Sequence, residues 1–218
     1  MNVAYLFDAP SAAIVIGGTM LATVLRCGLA DCKLALKALG RLGRGRFDSG
    51  KIQSELAIQV REIQKDGLLR AHPHVFGDPE FDDATGALIQ TRSISGLLEK
   101  HSSYRERRLA GAATASQTFA QAAELAPLFG LAGTLIALSQ LPANDISGGT
   151  YASAISTAVL TTLYGLLTAN LILAPLSRSI DRASAIEEAE REKLVDWLTR
   201  QVAQEVPGSK QRQPDKDP

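Results

Sequence analysis

The chain has 218 residues, of which 23 are basic, 23 are acidic and 45% are hydrophobic. This composition is too apolar for a disordered protein, and a net charge of zero excludes binding to nucleic acid through overall charge. Two cysteines in a chain of this length also exclude a small fold held together by disulfides.

Charged side chains are almost absent from three stretches. Residues 9–25 and 146–177 contain none, and residues 109–141 contain only Glu124. Because about 20 mostly apolar residues cross a bilayer as a helix, we predict three transmembrane helices, the second over residues 122–141. The alternatives are a signal peptide at the first stretch or a soluble core of buried helices. Against them, no positive charge precedes the first stretch, and long uncharged runs are costly in a soluble fold.

Lysine and arginine flank these stretches unevenly. They follow the first stretch, precede the second and follow the third, whereas the connection at residues 142–145 has none. Since Lys and Arg accumulate on the cytoplasmic side of a membrane, we expect a periplasmic N-terminus and a cytoplasmic C-terminus. The lipid bilayer itself is an expected partner, with anionic headgroups meeting the basic stretch at residues 40–46.

The segment between the first two spans is predicted to be helical and cytoplasmic. Four of its apolar residues fall on one helical face: Ile52, Leu56, Val60 and Ile63. Residues 72–86, rich in Pro, Gly and Asp, predict a loop, and helix is expected again from residue 94 into the second span.

The fold predicted is an all-α integral membrane protein with three transmembrane helices and a helical cytoplasmic extension. Its parts are a first transmembrane helix (residues 1–30), a cytoplasmic helical segment (31–108), two long transmembrane helices (109–177), a cytoplasmic amphipathic helix (178–206) and a disordered tail (207–218).

The second span carries a bend, a packing face and one central hydroxyl. Pro127 removes a helix hydrogen bond and is expected to bend the helix. The small residues that would allow close helix packing are Gly130, Gly133 and Ala137. Thr134 has the only hydroxyl near the middle of the span. Glu124 is either a functional site or an interface charge that reaches headgroups or a basic neighbour.

The third span has a hydroxyl-bearing side and a close-packing side. Its hydroxyl residues recur on one helical stripe, with one more beside it: Thr157, Thr161, Tyr164 and Thr168, and Thr162. The second stripe is small: Ala158, Thr162, Gly165 and Ala169. Such clustering favours an ion pathway or a subunit contact. The alternative is that each threonine hydroxyl bonds back to a carbonyl of its own helix.

Sequence elements in these two spans carry a resemblance. They are Ala-Pro-Leu-Phe-Gly-Leu-Ala-Gly-Thr at 126–134, Ala-Val-Leu-Thr-Thr-Leu-Tyr-Gly at 158–165 and Ala-Asn at 169–170. The chain resembles the MotA/TolQ/ExbB family of ion-driven motor subunits, and the Leu-Tyr-Gly and Ala-Asn elements are closer to its MotA branch.

The resemblance implies an ion channel of the bacterial inner membrane, with no cofactor. Five such chains, a homopentamer, would surround the single-span helices of a partner similar to MotB, ExbD or TolR, which carries an ion-accepting Asp. Ion flow, expected to be of protons, would move this partner, as in a flagellar motor stator. Thr134 and Thr162 match the pore threonines of the family, and Pro127 matches the proline near the ion path.

The chain departs from the family at informative positions. Flagellar stators carry rotor-contact charges at the positions of Gln64 and His72, and TolQ and ExbB carry a Glu at the position of Thr157. MotA proteins usually have a further span before the first one here, so the chain is either a three-span relative or has a misplaced start.

No nucleophile, base and acid recur together, so an enzyme is not expected, nor are a metal site and a nucleic-acid partner. Three hypotheses follow. The chain is a MotA-like ring subunit of an ion-driven motor, a TolQ- or ExbB-like energiser of envelope transport, or a non-conducting membrane scaffold.

Overall fold

The computed structural model describes residues 8–43, 47–66, 75–141 and 148–203. In these ranges the elements are all helices: α1 (Ala9–Leu42), α2 (Ser49–Asp66), α3 (Pro79–Thr91), α4 (Ile94–Ser139), α5 (Gly148–Leu167), a π-helical segment (Thr168–Leu173) and α6 (Ala174–Val202). Three helical stretches, Ala9–Leu42, Ile94–Ser139 and Tyr151–Val202, are long and apolar enough to cross a membrane. The predicted all-α fold with three spans is therefore confirmed. The predicted tail at 207–218 lies outside the described residues.

The chain forms two compact units. The first comprises Met1–Arg44 and Gly111–Ala183, and the second comprises Gly45–Ala110 and Ser184–Pro218. The segment boundaries predicted at residues 30, 108 and 177 concern where the chain leaves the membrane, and they stay predictions. Helices α1 and α6 continue beyond the apolar stretches, where Ala35 and Ile180 are buried together with Ala115 of α4.

In the first unit, α1 runs antiparallel to α4. Asp8 caps α1 by accepting a hydrogen bond from the Ser11 N–H at 3.2 Å, and Pro10 lies in the first turn, where its missing donor is not needed. The helix is interrupted at Gly28, whose φ of 85° and ψ of 161° are readily adopted only by glycine. Nineteen residues, from Ala9 to Cys27, precede this break, which is close to the length of about 20 that crosses the hydrocarbon core.

The second unit has a hydrophobic core formed by helices. Its buried apolar side chains come from α2, α3, α4 and α6, and from Phe76 just before α3: Ile52, Leu56, Val60, Ile63, Phe76, Phe81, Ala84, Leu88, Leu97, Leu194, Val195, Leu198 and Val202. The α2 face predicted from the spacing of four apolar residues is thus buried as expected.

The loop predicted over residues 72–86 is too long. Helix α3 begins at Pro79, because Asp78 accepts a hydrogen bond from the Glu80 N–H at 3.1 Å and the proline occupies the first helical position. The same Pro and Asp residues that are typical of a loop therefore start a helix here.

The third span and the amphipathic helix after it form one continuous helix. The π-helical segment joins α5 to α6, and within it the Asn170 side-chain amide donates to the Leu166 carbonyl at 2.9 Å. Wider helical turns of this kind accompany local defects in the hydrogen-bond ladder, and Pro175 follows two residues after the segment.

Candidate ion-pathway groove

Glycines bring α4 and α5 into direct backbone contact. A Cβ added to Gly165 would lie 2.7 Å from the Ala126 carbonyl oxygen, and one added to Gly130 would lie 3.0 Å from the Thr161 carbonyl oxygen. A Cβ on Gly133 would meet the Thr161 side chain at 2.8 Å. Real Cβ atoms essentially never approach within 3.0 Å, so a side chain at Gly133 or Gly165 would force the helices to shift, and one at Gly130 would be tight. The contacts pair α4 and α5 in antiparallel directions.

The remaining small residues predicted for helix packing are also enclosed. Ala137 of α4 and Ala169 of the π-helical segment are both buried. Pro127 lies inside α4, and its Cα would be 3.2 Å from a Cβ at Gly165. The proline therefore sits at the closest approach of the two helices.

A groove of about 480 Å³ lies between α4 and α5. Its walls are formed by Thr134, Leu138, Ile155, Ala158, Val159, Thr162, Leu163 and Leu166. Thr134 and Thr162 are the only hydroxyl residues in this wall, so the structure brings together the two threonines that match the pore threonines of the family.

The two groove threonines are oriented by their own helices. The Thr134 hydroxyl donates to the Leu131 carbonyl at 2.6 Å, and the Thr162 hydroxyl donates to the Ala158 carbonyl at 3.2 Å. A hydroxyl that donates its proton in this way retains lone pairs on oxygen. The groove can therefore offer two acceptor oxygens to a cation or to a water chain in an otherwise apolar wall.

The other hydroxyl residues of the predicted stripe lie elsewhere. Thr161 is fully buried against Gly133, and its hydroxyl donates to the Ala158 carbonyl at 2.9 Å. The Tyr164 hydroxyl accepts a hydrogen bond from the Asp8 N–H at 3.0 Å. Thr157 is half-buried and does not line the groove. One helical stripe in the sequence thus corresponds to several different environments.

Glu124 has a basic neighbour on α1. One of its carboxylate oxygens lies 3.7 Å from a guanidinium nitrogen of Arg26, and both side chains are more than half exposed. Arg26 is a basic neighbour of the kind that the interface alternative expects, and the role of Glu124 stays a prediction. Such an exposed pair contributes at most about 1 kcal/mol to stability.

Helix α1 has a polar face that was not predicted from the sequence. Ser11, Thr19 and Thr23 are buried on this helix, and the Thr19 hydroxyl has no hydrogen-bond partner within the described part of the chain. Further along, the Cys27 thiol lies 3.1 Å from the Gln121 side-chain oxygen of α4. The signal was available, because these residues recur at intervals of four or eight along the first span.

A buried charged network lies in the second unit and was also missed. Glu80 of α3 is 2% exposed and contacts three partners: its carboxylate meets His101 at 2.6 Å, Arg191 at 2.8 Å and Arg108. Arg108 also binds Glu188 at 2.8 Å. Buried charges require such pairing, since an unpaired one would be strongly destabilising.

Arg191 is held on several sides within this network. Its guanidinium binds the Asp78 carboxylate at 2.8 Å and lies 4.1 Å from the centre of the Phe47 ring. The Glu187 carboxylate, one turn earlier on α6, is 3.0 Å away, as the i, i+4 spacing predicts. Burial by itself would raise the pKa of the Asp78 carboxyl, but the hydrogen bond and the charge of Arg191 outweigh burial and hold that pKa below its ordinary value.

The two positions that depart from the flagellar pattern have different outcomes. Gln64 is exposed on α2, and its side-chain amide donates to the Gln201 carbonyl at 3.5 Å. His72 lies outside the described residues. The described part of the chain contains no cluster of three metal-ligating side chains.

Three apolar spans, with two of them joined through glycines beside a hydroxyl-bearing groove, define a helical integral membrane protein. The profile of the MotA/TolQ/ExbB proton channel family matches residues 86–193, about half of the chain. The chain belongs to this family and to its MotA-like branch.

Two curated relatives support this assignment. Motility protein A of Cereibacter sphaeroides is 28% identical over 199 residues, which cover 90% of this chain and 78% of that protein. Motility protein A of Borreliella burgdorferi is 31% identical over 158 residues, which cover 68% of this chain and 56% of that protein.

Solved structures share the fold. The structure of MotAB from C. jejuni has a TM-score of 0.81 at 17% identity and covers 100% of this chain and 89% of that one. The flagellar MotAB stator complex from Bacillus subtilis also has a TM-score of 0.81, at 20% identity, and covers 96% of this chain and 83% of that one.

Proposed function

We propose that this chain is the ring-forming subunit of an ion-driven motor in the bacterial inner membrane, and that it acts as a MotA-like stator subunit of a flagellar motor. The observation that carries the proposal is the groove between α4 and α5, in which Thr134 and Thr162 supply hydroxyl oxygens in an apolar wall. The relatives named motility protein A and the fold of the MotAB stator complexes support the same role.

The ring is proposed to be a homopentamer around a single-span partner of the MotB type that carries an ion-accepting Asp. Within one chain, only 17%, 28% and 17% of the most apolar window of each span is buried. The remaining apolar surface requires lipid or other helices to cover it. Leu128, Leu131 and Val159 are among the exposed apolar residues of α4 and α5 beside the groove.

Ion transfer is proposed to use protons and to pass along the groove wall. Threonine oxygens solvate a proton-bearing water or a cation without adding charge, so an ion can leave as readily as it enters. Pro127 and Gly165 hold the helices at the contact beside this wall. The partner's carboxylate would then accept the ion, and its neutralisation would release the partner to move.

The proposed topology has a periplasmic N-terminus and a cytoplasmic C-terminus. It rests on the uneven distribution of Lys and Arg around the spans. A green fluorescent protein fused to the C-terminus should fluoresce in cells, whereas an alkaline phosphatase fused there should be inactive. Active phosphatase at this end would contradict the topology.

The test of the ion pathway removes each groove hydroxyl while keeping side-chain volume. We expect Thr134→Val and Thr162→Val to reduce proton flux at least tenfold in vesicles that contain both the chain and its partner, with the complex still assembled. Thr23→Val is the matched control, because this buried threonine of α1 also bonds to its own helix, at 2.7 Å, but lies outside the groove. Equal flux in all three variants would refute the ion-pathway assignment.

A TolQ- or ExbB-like energiser of envelope transport is the second candidate. The observation in its favour is Gln64, which is neutral and exposed on α2 where flagellar stators carry a rotor-contact charge. Deletion of the gene separates the two functions. Loss of swimming with intact flagella supports the stator, whereas normal swimming with a defective envelope supports the energiser. A chain that assembles but passes no ions would instead be a scaffold.

A further inference from the structure

Four exposed cations of the first unit share one level along the helices. Lys33 and Lys37 lie four residues apart on α1, and Arg178 and Arg182 lie four residues apart on α6. We call these four residues the cation belt. Residues four apart lie on the same side of a helix, so each pair forms one short basic stripe.

A buried contact sets the level and the direction of both pairs. Ala35 of α1 and Ile180 of α6 are buried together with Ala115 of α4. Ala35 is the midpoint between the two lysines, and Ile180 is the midpoint between the two arginines. Two residues turn an α-helix by about 200°, so both pairs point away from this contact, toward the outside of the unit.

The cations of the belt have no acidic partners among the residues that the structure describes. None of the four lies within 4.0 Å of a carboxylate in the parts of the chain that the structure describes. The nearest acids in the sequence are Asp31, which is half-buried, and Asp181, which is exposed. The belt therefore keeps an excess of positive charge.

The depth of the belt matches the phosphate layer of a bilayer. Arg178 is the first charged residue after the uncharged stretch at residues 146–177, and Arg182 follows it by four residues on α6, a rise of about 6 Å. The buried contact between Ala35 and Ile180 puts the two lysines of α1 at the same level. Headgroups occupy roughly 5–8 Å outside the hydrocarbon core, and lysine stems reach several ångströms back toward it.

We propose that the cation belt binds the headgroups of anionic phospholipids at this membrane face. The binding is independent of ion conduction, so it holds for a stator, an energiser or a scaffold alike.

The experiment measures binding of phosphatidylglycerol with a fluorescent acyl chain to the purified full-length chain in neutral detergent. Each cation near a membrane surface contributes about fivefold to affinity, which corresponds to about 1 kcal/mol. We expect Lys33→Gln/Lys37→Gln and Arg178→Gln/Arg182→Gln each to weaken binding by roughly 25-fold. The charge-preserving Lys33→Arg/Lys37→Arg should bind as the unmodified chain does.

The control removes the same charge from the second unit. Lys51 and Lys65 are exposed on α2, and Lys51→Gln/Lys65→Gln should leave the affinity within about twofold of the original. Equal weakening by this control would overturn the proposal, because net charge alone would then explain it. Phosphatidylcholine binding as tightly as phosphatidylglycerol, or glycerol phosphate binding as tightly as the lipid, would overturn the assignment to anionic lipid headgroups.

Discussion

The contact between α4 and α5 leads to a quantitative prediction for Gly165→Ala. The new methyl would lie 2.7 Å from the Ala126 carbonyl oxygen and 3.1 Å from the Gly130 Cα, and both neighbours are backbone atoms of α4. Ordinary contact begins at 3.4 Å, so the helices must separate locally by 0.7 Å, the difference between 3.4 and 2.7 Å. Overpacking of this kind costs about 1–3 kcal/mol.

The assay is unfolding of the purified chain in mixed micelles by titration with sodium dodecyl sulfate, followed by circular dichroism. Gly17→Ala is the matched control, because this helical glycine of α1 has nothing within 4 Å of an added Cβ. Without a clash, alanine gains up to about 1 kcal/mol over glycine in a helix. We therefore expect opposite shifts of the unfolding midpoint. A Gly165→Ala chain as stable as Gly17→Ala would refute the close contact.

Two further predictions concern the charged network of the second unit. Arg191→Gln should destabilise the chain by about 3–5 kcal/mol because it leaves Asp78 without its buried partner, whereas Arg200→Gln, at an exposed position, should change stability by less than about 0.5 kcal/mol in chemical denaturation. The folded-state pKa of Asp78 lies below its unfolded-state value, so this carboxyl stabilises the fold above that value. That stabilisation should be lost below about pH 4, and an equal acid-induced loss in Arg191→Gln would contradict the coupling.

The spans and one helical face could be predicted because their signals are local. The composition of an apolar stretch is enough to indicate that it prefers lipid. The spacing from Ile52 to Ile63 indicates a buried helical face, whichever element packs against it. The glycine positions were likewise readable, since small residues four apart allow close approach. Which helix packs against the small residues depends on the tertiary structure, and only the structure shows that Gly165 contacts Ala126.

The charged network could not be predicted, because its members are distant in sequence. Glu80 and Arg191 are separated by 111 positions, and each is typical of an exposed helix surface when read alone. The surroundings of each hydroxyl residue in the third span could not be predicted from the sequence for a related reason. Thr161 and Thr162 are neighbours, yet a turn of about 100° directs one toward Gly133 and the other into the groove.

The π-helical segment has a consequence for the angular phase of the third span. Gly165 and Ser177 both face α4, the first at Gly130 and the second at Ser116, whose hydroxyl is 3.1 Å away. Twelve residues of regular α-helix would rotate them about 120° apart, which is too far for both to meet one straight neighbour. The wider π-helical turns accommodate one additional residue, so Gly165 and Ser177 lie on the same side of the helix. Deleting one residue from Thr168–Leu173 should therefore convert the segment to regular helix while the serine side chain keeps facing α4, because eleven residues of α-helix leave the two positions only about 20° apart.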